Sequence, residues 1–399
     1  MRDYSSRLRI VVLGYVVRCP LGGMAWHHLQ YVLGLKRLGH DVYFLEDSDD
    51  YTSCYNPQRD VMDTDPSYGV DFAKRVFSRI DLGERWAYYD AHTSRWFGPL
   101  ADTAVSICQS ADVVINVSGV NPLRDWTAAI PVRALVDTDP VFTQIRHLTD
   151  PIAMHRASHH NVFFSFGENI GKPDCTVPDD GICWQPTRQP VVLDAWPIAP
   201  PNPQGAFTTV MQWQSYPARE FNGCRYGMKA DSFAPYMALP SKTTETLELA
   251  LGNRDAPREV LTEKGWRLID PRQPTDDPWT FRNYIHQSKA EFSVAKHGYV
   301  ASRCGWFSER TTSYLASGRP ALVQDTGFTE WLETGAGLLA YSSPDEASDQ
   351  LATICSDLSQ HCRCAREIAE EVFPHDRVLT HLLDRAGARS KLPTTLIPQ

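Results

Sequence analysis

W-F-S-E-R-T-T-S-Y-L-A-S-G-R-P-A-L-V-Q-D-T-G-F-T-E-W-L-E-T-G-A-G-L-L-A-Y-S-S-P-D-E, from Trp306 to Glu346, is the stretch from which the fold is read. Ser308 has the chemistry of a helix cap, Glu309 stands in the first turn, and Gly318 ends the helix. Arg319-Pro320 forbids continuation, and Ala321-Leu322-Val323 reads as a buried parallel strand. Asp325-Thr326-Gly327 follows at the carboxyl end of that strand, with Thr326 or Thr329 opening the next helix. In an open α/β sheet ligands sit outside the strand ends, against helix amino termini. Free backbone N–H groups there favour phosphate, so the expected ligand is an anion attached to a sugar or nucleotide.

Glu309, a helix of small residues, Gly318-Arg319-Pro320, an apolar strand, Asp325-x-Gly327-x-x-Glu330 and G-A-G-L-L-A-Y-S-S-P-D-E follow one another here. That order resembles the donor-binding half of GT-B glycosyltransferases. It is similar to the group-1 type, which includes spore-maturation-like bacterial transferases. The resemblance is strongest over residues 290 to 345 and weaker over the first 45. It implies that Glu309 holds the ribose hydroxyls of a nucleotide-sugar donor, while the backbone at Thr326-Gly327 and the helix start from Ser308 hold its diphosphate. Many retaining members carry a second glutamate eight residues earlier. That position is Ala301 here, which leaves retention or inversion open.

Outward from this stretch, strands and helices alternate along the chain. Arg9 to Leu13 reads as a buried strand, a helix runs from about Met24 to Leu38, and Asp41 to Leu45 is the next strand. L-K-R-L-G-H-D-V-Y-F-L looks like the first unit of a GT-B amino-terminal domain. Residues 47 to 66 read as a surface excursion, Tyr68 to Ile80 and Leu100 to Ser110 as helices, and residues 112–117, 132–136 and 162–165 as strands. Pro186, Pro190, Pro197, Pro200, Pro201 and Pro203 suit an extended linker. Strands at 208–212, 247–251, 266–269 and 292–295 open a second series. The expectation is α/β: two Rossmann-like doubly wound domains facing a cleft, over residues 1–196 and 205–399, with the last helix able to pack back on the first domain.

At 399 residues the chain exceeds one ordinary core, and 42% apolar with 22% charged residues marks it as globular. A net charge of −9 argues against a nucleic-acid partner held through counterion release. The opening M-R-D-Y-S-S-R-L-R-I-V-V-L-G has only a five-residue apolar run, too short for a signal core or a membrane span. Ten scattered cysteines then read as reduced cytosolic thiols, and the expected location is cytoplasmic. Cys355, His361, Cys362 and Cys364 fall within one helical pattern and do not share one face, so no metal site is expected there.

Each candidate residue has a plain reading beside the functional one. A Rossmann start invites a nicotinamide cofactor, with Glu46 or Asp47 as the ribose acid. G-Y-V-V-R-C-P-L-G-G contains no G-x-G-x-x-G, however, so these acids read as a solvated strand end. Gly22 and Gly23, at the helix start, allow close approach of an acceptor or donor. Arg310, Thr311 and Thr312 stand near enough to Glu309 to meet a diphosphate, with one or two of them facing the core. Lys229 in R-Y-G-M-K is expected to neutralise the leaving diphosphate, and His297 in K-H-G-Y-V to contact base or phosphate, as the resemblance implies.

The first domain is expected to recognise the acceptor. His27 and His28 open its first helix, and one of the pair points elsewhere. Histidine suits deprotonation of a hydroxyl near neutral pH. Asp137 and Asp139 in V-D-T-D-P are the rival bases. They also spell D-x-D, a metal-diphosphate signature that Asp63-Thr64-Asp65 repeats, and whose plain reading is an Asp-Pro turn. Trp86, Tyr88, Tyr89, Trp96 and Phe97 form an aromatic patch placed between helices, suited to stacking on sugars or to core packing. Asn121 and Glu168 are polar residues on strand-end loops.

The expected activity is metal-independent glycosyl transfer from a nucleotide-diphosphate sugar to an acceptor hydroxyl on a saccharide or small molecule, with no cofactor, no metal and no nucleic-acid partner. A nucleotide-sugar epimerase on the same fold and a catalytically silent nucleotide-binding relative are the alternatives.

Overall fold

The computed structural model describes residues 7–253 and 255–389; the opening M-R-D-Y-S-S lies outside them. The chain divides into two compact units. The first holds residues 7–138, Asp150–Phe164 and residues 375–389; the second holds Asp139–Thr149 and, among the described residues, 165–374. The division expected between residues 196 and 205 thus gives way to chain crossings at 138–139, 149–150, 164–165 and 374–375. Residues 186–203 are not a solvated linker either. Val191, Val192 and Trp196 are fully buried, and the Val191 N–H bonds Phe373 O at 2.8 Å. Prolines keep this stretch extended, while its apolar residues supply burial that holds it to the second unit.

In the first unit, strands run in the order Val162–Ser165, Val132–Asp137, Val113–Val117, Arg9–Leu13, Asp41–Asp47, Trp86–Asp90, Arg95–Phe97. Arg9–Leu13 pairs in parallel with both neighbours, as expected of an apolar strand buried on both faces. The edge is antiparallel, Tyr88 facing Phe97 and Tyr89 facing Trp96. The aromatic patch therefore belongs to two strands, not to a gap between helices, and Trp86 and Tyr88 are core residues. The excursion at 47–66 contains a small antiparallel hairpin, Cys54–Asn56 with Val61–Asp63. Helix Gly22–Arg37 begins two residues before the expected start. Helix His375–Arg385 packs so closely on it that a Cβ on Gly34 would stand 2.6 Å from Leu379 Cδ1 and 2.9 Å from His375 Cβ.

In the second unit, strands run Arg267–Ile269, Leu247–Gly252, Phe207–Gln212, Ala290–Ser293, Ala321–Gln324, Leu338–Tyr341, and every neighbouring pair is parallel. Ala321–Gln324 is buried, and just past its carboxyl end Thr326 bonds Trp306 O and the Gly305 N–H, in the loop before helix Glu309–Ala316. Gly318 ends that helix with φ +68°, a left-handed conformation open to glycine without strain. After Gly327, a short 3-10 turn at Phe328–Glu330 stands where a helix opened by Thr326 or Thr329 was expected.

Candidate donor site in the second unit

Ser308 accepts the Arg310 N–H at 3.2 Å and so caps helix Glu309–Ala316. This sets Glu309 in the first turn. Its backbone carbonyl accepts from the Thr312 and Ser313 hydroxyls, while its partly exposed carboxylate has no hydrogen bond among the described residues. Lys229 is likewise partly exposed, and its amine has no hydrogen-bond partner among them. Burial pulls the Lys229 ammonium down to about 7; the charges of Arg310 and Lys296 lower it further, while Glu309 and Glu291 oppose the fall. A carboxylate and an amine, both free and electrostatically coupled, thus stand together.

His297 completes this group. Its Nδ1 accepts the Gly227 N–H at 3.2 Å, which makes Nδ1 the unprotonated nitrogen and leaves Nε2–H as a donor. The His297 N–H reaches Met228 O at 3.3 Å, tying its loop to the residue before Lys229.

Other expected donor contacts are occupied within the fold. Arg310 does not offer its guanidinium to a diphosphate: Nε bonds Glu291 at 2.7 Å, one terminal nitrogen Val210 O at 3.0 Å, and the other Ser293 Oγ at 2.7 Å. Glu291 is fully buried, so this cation serves an interior charge. Thr311 and Thr312 both face inward; Thr312 Oγ1 bonds Glu309 O, and Thr311 Oγ1 is buried with no hydrogen-bond partner among the described residues. Thr326 Oγ1 donates to Trp306 O, and the Gly327 N–H is taken by Asp325 Oδ1 at 2.9 Å.

Asn169 was not singled out by sequence. It is buried, and its Nδ2 donates to Gly327 O at 2.9 Å and Arg303 O at 3.1 Å, joining the loop after strand Ala321–Gln324 to the segment before helix Glu309–Ala316. A lone asparagine 140 residues before Glu309 carries no local signal of this. Its neighbour Glu168 pairs with Arg188, which lies over the Trp331 ring.

In the first unit, His27 is 6% exposed, with Nε2 3.4 Å from Ser118 Oγ, a hydroxyl that also receives Thr138 Oγ1 at 2.9 Å. His28 is fully buried against Gly14, with no hydrogen bond at either ring nitrogen among the described residues, and burial drives its basicity well below normal. It is a core residue and does not reach an acceptor. Asp137 is buried. Asp139 belongs to the second unit and is bound to Lys296, Tyr216 and Tyr299. Burial pushes its carboxyl up, but Lys296 and these hydrogen bonds outweigh that and hold it below the usual range, a poor base. Gly22 and Gly23 begin their helix with no side-chain cap.

Nor are the acids at the end of Asp41–Asp47 a solvated strand end. Glu46 is buried and accepts the N–H groups of Val16, Val17 and Arg18 at 2.6, 2.8 and 2.7 Å. Asp47 takes a two-pronged Arg124 contact, at 2.9 and 3.0 Å. Asn121 bridges Gly14 O and the Asp47 N–H. These residues hold the loop before helix Gly22–Arg37, which is why neither acid is available to a ribose. Among the described residues there is no group of three or more His, Cys, Asp or Glu able to hold a metal, and no helix is long and apolar enough to cross a membrane.

No protein-family model matches the chain, and no curated protein sequence matches it. Solved structures do. An α-glucosyltransferase in complex with UDP-glucose and DNA containing an abasic site superposes with TM-score 0.60 over 96% of this chain and 100% of its own, at 11% identity. Anabaena HepE in complex with UDP and glucose gives 0.56 over 96% and 100%, at 10% identity. AviGT4, a glycosyltransferase involved in avilamycin A biosynthesis, gives 0.50 over 95% and 97%, at 13% identity.

The chain has the GT-B fold.

These likenesses also correct one expectation. The GT-B α-glucosyltransferase is seen with DNA in several structures, so the exclusion of nucleic acid drawn from a net charge of −9 does not stand. Net charge is a sum over the surface, whereas phosphate contacts depend on where individual cations lie.

Proposed function

We propose that this GT-B chain transfers a glycosyl group from a nucleotide-diphosphate sugar to an acceptor hydroxyl. The observation that carries the reading is the pair of free charges, Glu309 and Lys229, at a helix start in a fold whose solved relatives hold UDP or UDP-glucose. A carboxylate with open lone pairs accepts from two adjacent ribose hydroxyls. A cation and the Nε2–H of His297 suit a diphosphate. In the transfer, the acceptor oxygen bonds the anomeric carbon, the bond from that carbon to the diphosphate breaks, and the diphosphate leaves with the electron pair. Lys229 and His297 stabilise that growing charge, so no metal is invoked. His27 takes the acceptor proton, with Asp137 the remaining rival, and Gly22 and Gly23 admit the acceptor. A nucleic acid belongs among the acceptors to be tried, with saccharides and small molecules.

A binding screen of nucleotide-sugars on wild type and Glu309→Ala tests the donor site. Wild type is expected to bind and be stabilised, and the variant to bind at least tenfold more weakly, at ~1.4 kcal/mol per tenfold. Equal binding by both proteins sinks the assignment of Glu309. Conversion of the donor without any acceptor turns the reading toward an epimerase. For His27→Ala, donor binding is expected to persist while transfer falls by roughly a hundredfold or more. Unchanged transfer removes His27 as the base.

A further inference from the structure

The chain enters the second unit at Asp139 and packs at once against the loop that carries His297. Asp139 accepts from Lys296 Nζ at 2.7 Å and from the hydroxyls of Tyr216 and Tyr299, and Lys296 also donates to Tyr216 at 2.8 Å. The ammonium lies 4.5 Å from the ring centre of Tyr216, 5.2 Å from that of Phe142 and 5.3 Å from that of Tyr299. Two residues on, Val141 has φ +69°, a conformation that β-branched residues seldom adopt. It is fully buried, and its N–H is held by Gln144 Oε1 at 2.7 Å. Strain of that kind persists only where the surroundings over-determine the backbone.

The same contacts reach the two residues before Lys229. Lys296 immediately precedes helix His297–Ser302, and Gly298 is pressed on Phe142, where a Cβ would stand 2.5 Å from Cζ. The Gly298 N–H bonds Gly227 O at 3.0 Å, next to the His297 bonds to Gly227 and Met228. Around Lys229 stand Arg310 and Glu309 from one helix, Glu291 from a strand, and Lys296 and His297 from this loop. On its own helix, Asp231 is bound to Arg225 and to the Met228 N–H.

We propose that Asp139 is a positioning residue for this anion site: by neutralising Lys296 and fixing its loop, it keeps Lys229 a cation able to hold a nucleoside diphosphate. The ligand in that statement rests on the donor-site reading; the electrostatics do not. Asp139→Asn keeps one acceptor oxygen for one tyrosine and sets an NH2 donor against the other's hydroxyl, which must turn to accept it. Lys296 would then act unopposed, with Arg310, against charge on Lys229.

The test is the pH dependence of Lys229 acylation, read by mass spectrometry on the full chain, beside UDP-glucose affinity over the same range. Asp139→Asn is expected to lower the Lys229 midpoint by about half to one pH unit and to weaken UDP-glucose roughly three- to tenfold above neutrality. Adding Lys296→Met should return the midpoint to the wild-type value or above it, a recovery that mere structural damage would not produce. An unmoved midpoint in folded Asp139→Asn overturns the proposal. Shifted labelling with no UDP-glucose binding by any protein upholds Asp139's role and removes the donor reading. If Asp139→Asn does not fold, Lys296→Met alone carries the test: the Lys229 midpoint should rise, and an unchanged one overturns the proposal.

Discussion

The side-chain amide of Asn169 donates to the carbonyl of Gly327 at 2.9 Å, closing the loop after Ala321–Gln324 onto a segment far away in sequence. Gly327 has φ +87°, and a Cβ there would meet Arg303 O at 2.8 Å and Asn169 Nδ2 at 2.9 Å. Asn169→Ala leaves the buried Gly327 carbonyl and the partly buried Arg303 carbonyl without this donor, at about 1–3 kcal/mol in all. Loss of thermal stability by several degrees is expected, together with weaker UDP-glucose binding by the protein that remains folded. Asn169→Ala with wild-type stability and affinity would show that the loops need no such tie.

Arg310 gives a second prediction, one that separates structure from ligand. Arg310→Met strands the carboxylate of Glu291 inside the second unit, which costs about 3–5 kcal/mol. A denaturation curve should show this loss, and the double change with Glu291→Leu should recover much of it. Should Arg310→Met keep its stability and lose UDP-glucose, the guanidinium serves the diphosphate after all.

Acid stability follows from His160. Its Nε2 lies 3.1 Å from Asn116 Nδ2 and its Nδ1 3.0 Å from Ala157 O, so Nε2 accepts, Nδ1–H donates, and the ring is neutral. Burial lowers its basicity to about 4, with bonding to Ala157 opposing the fall. Between that value and the ordinary ~6.5, the unfolded chain binds a proton that the folded chain does not. The stability contribution is therefore complete above ~6.5 and falls with pH through the window, by about 3 kcal/mol below 4. Unfolding free energies at pH 7 and near 4.5 should differ less for His160→Gln than for wild type; equal differences would assign the acid sensitivity elsewhere.

Much of the second unit was legible in sequence because its signals are local. Ser308 caps through the amide two residues on, Gly318 takes a left-handed turn, and Ala321-Leu322-Val323 is apolar without alternation because both faces are covered. The same reasoning misplaced Arg310, Thr311 and Thr312. One or two of them were expected to face the core; both threonines are buried and Arg310 is bound to Glu291, partners that their order along one helix does not record. Glu46 and Asp47 failed differently. Their position at a strand end was right, yet the partners that bury them, the amides of residues 16–18 and the guanidinium of Arg124, come from separate loops.

The sequence by itself determined the alternation of strands and helices, the cap at Ser308, the stop at Gly318-Arg319-Pro320, and Glu309 as the acid of the first turn. Periodicity, capping and proline geometry act within a few residues, so they are written in consecutive letters. Only the tertiary structure decided which polar groups are spent and which are free. Arg310 is used up by Glu291, and Asp139 by Lys296 and two tyrosines, while the Glu309 carboxylate and the Lys229 amine have no hydrogen-bond partner among the described residues. The physical reason is that buried charge must be paired, and the partners arrive through sheet order and chain crossings that no short stretch records.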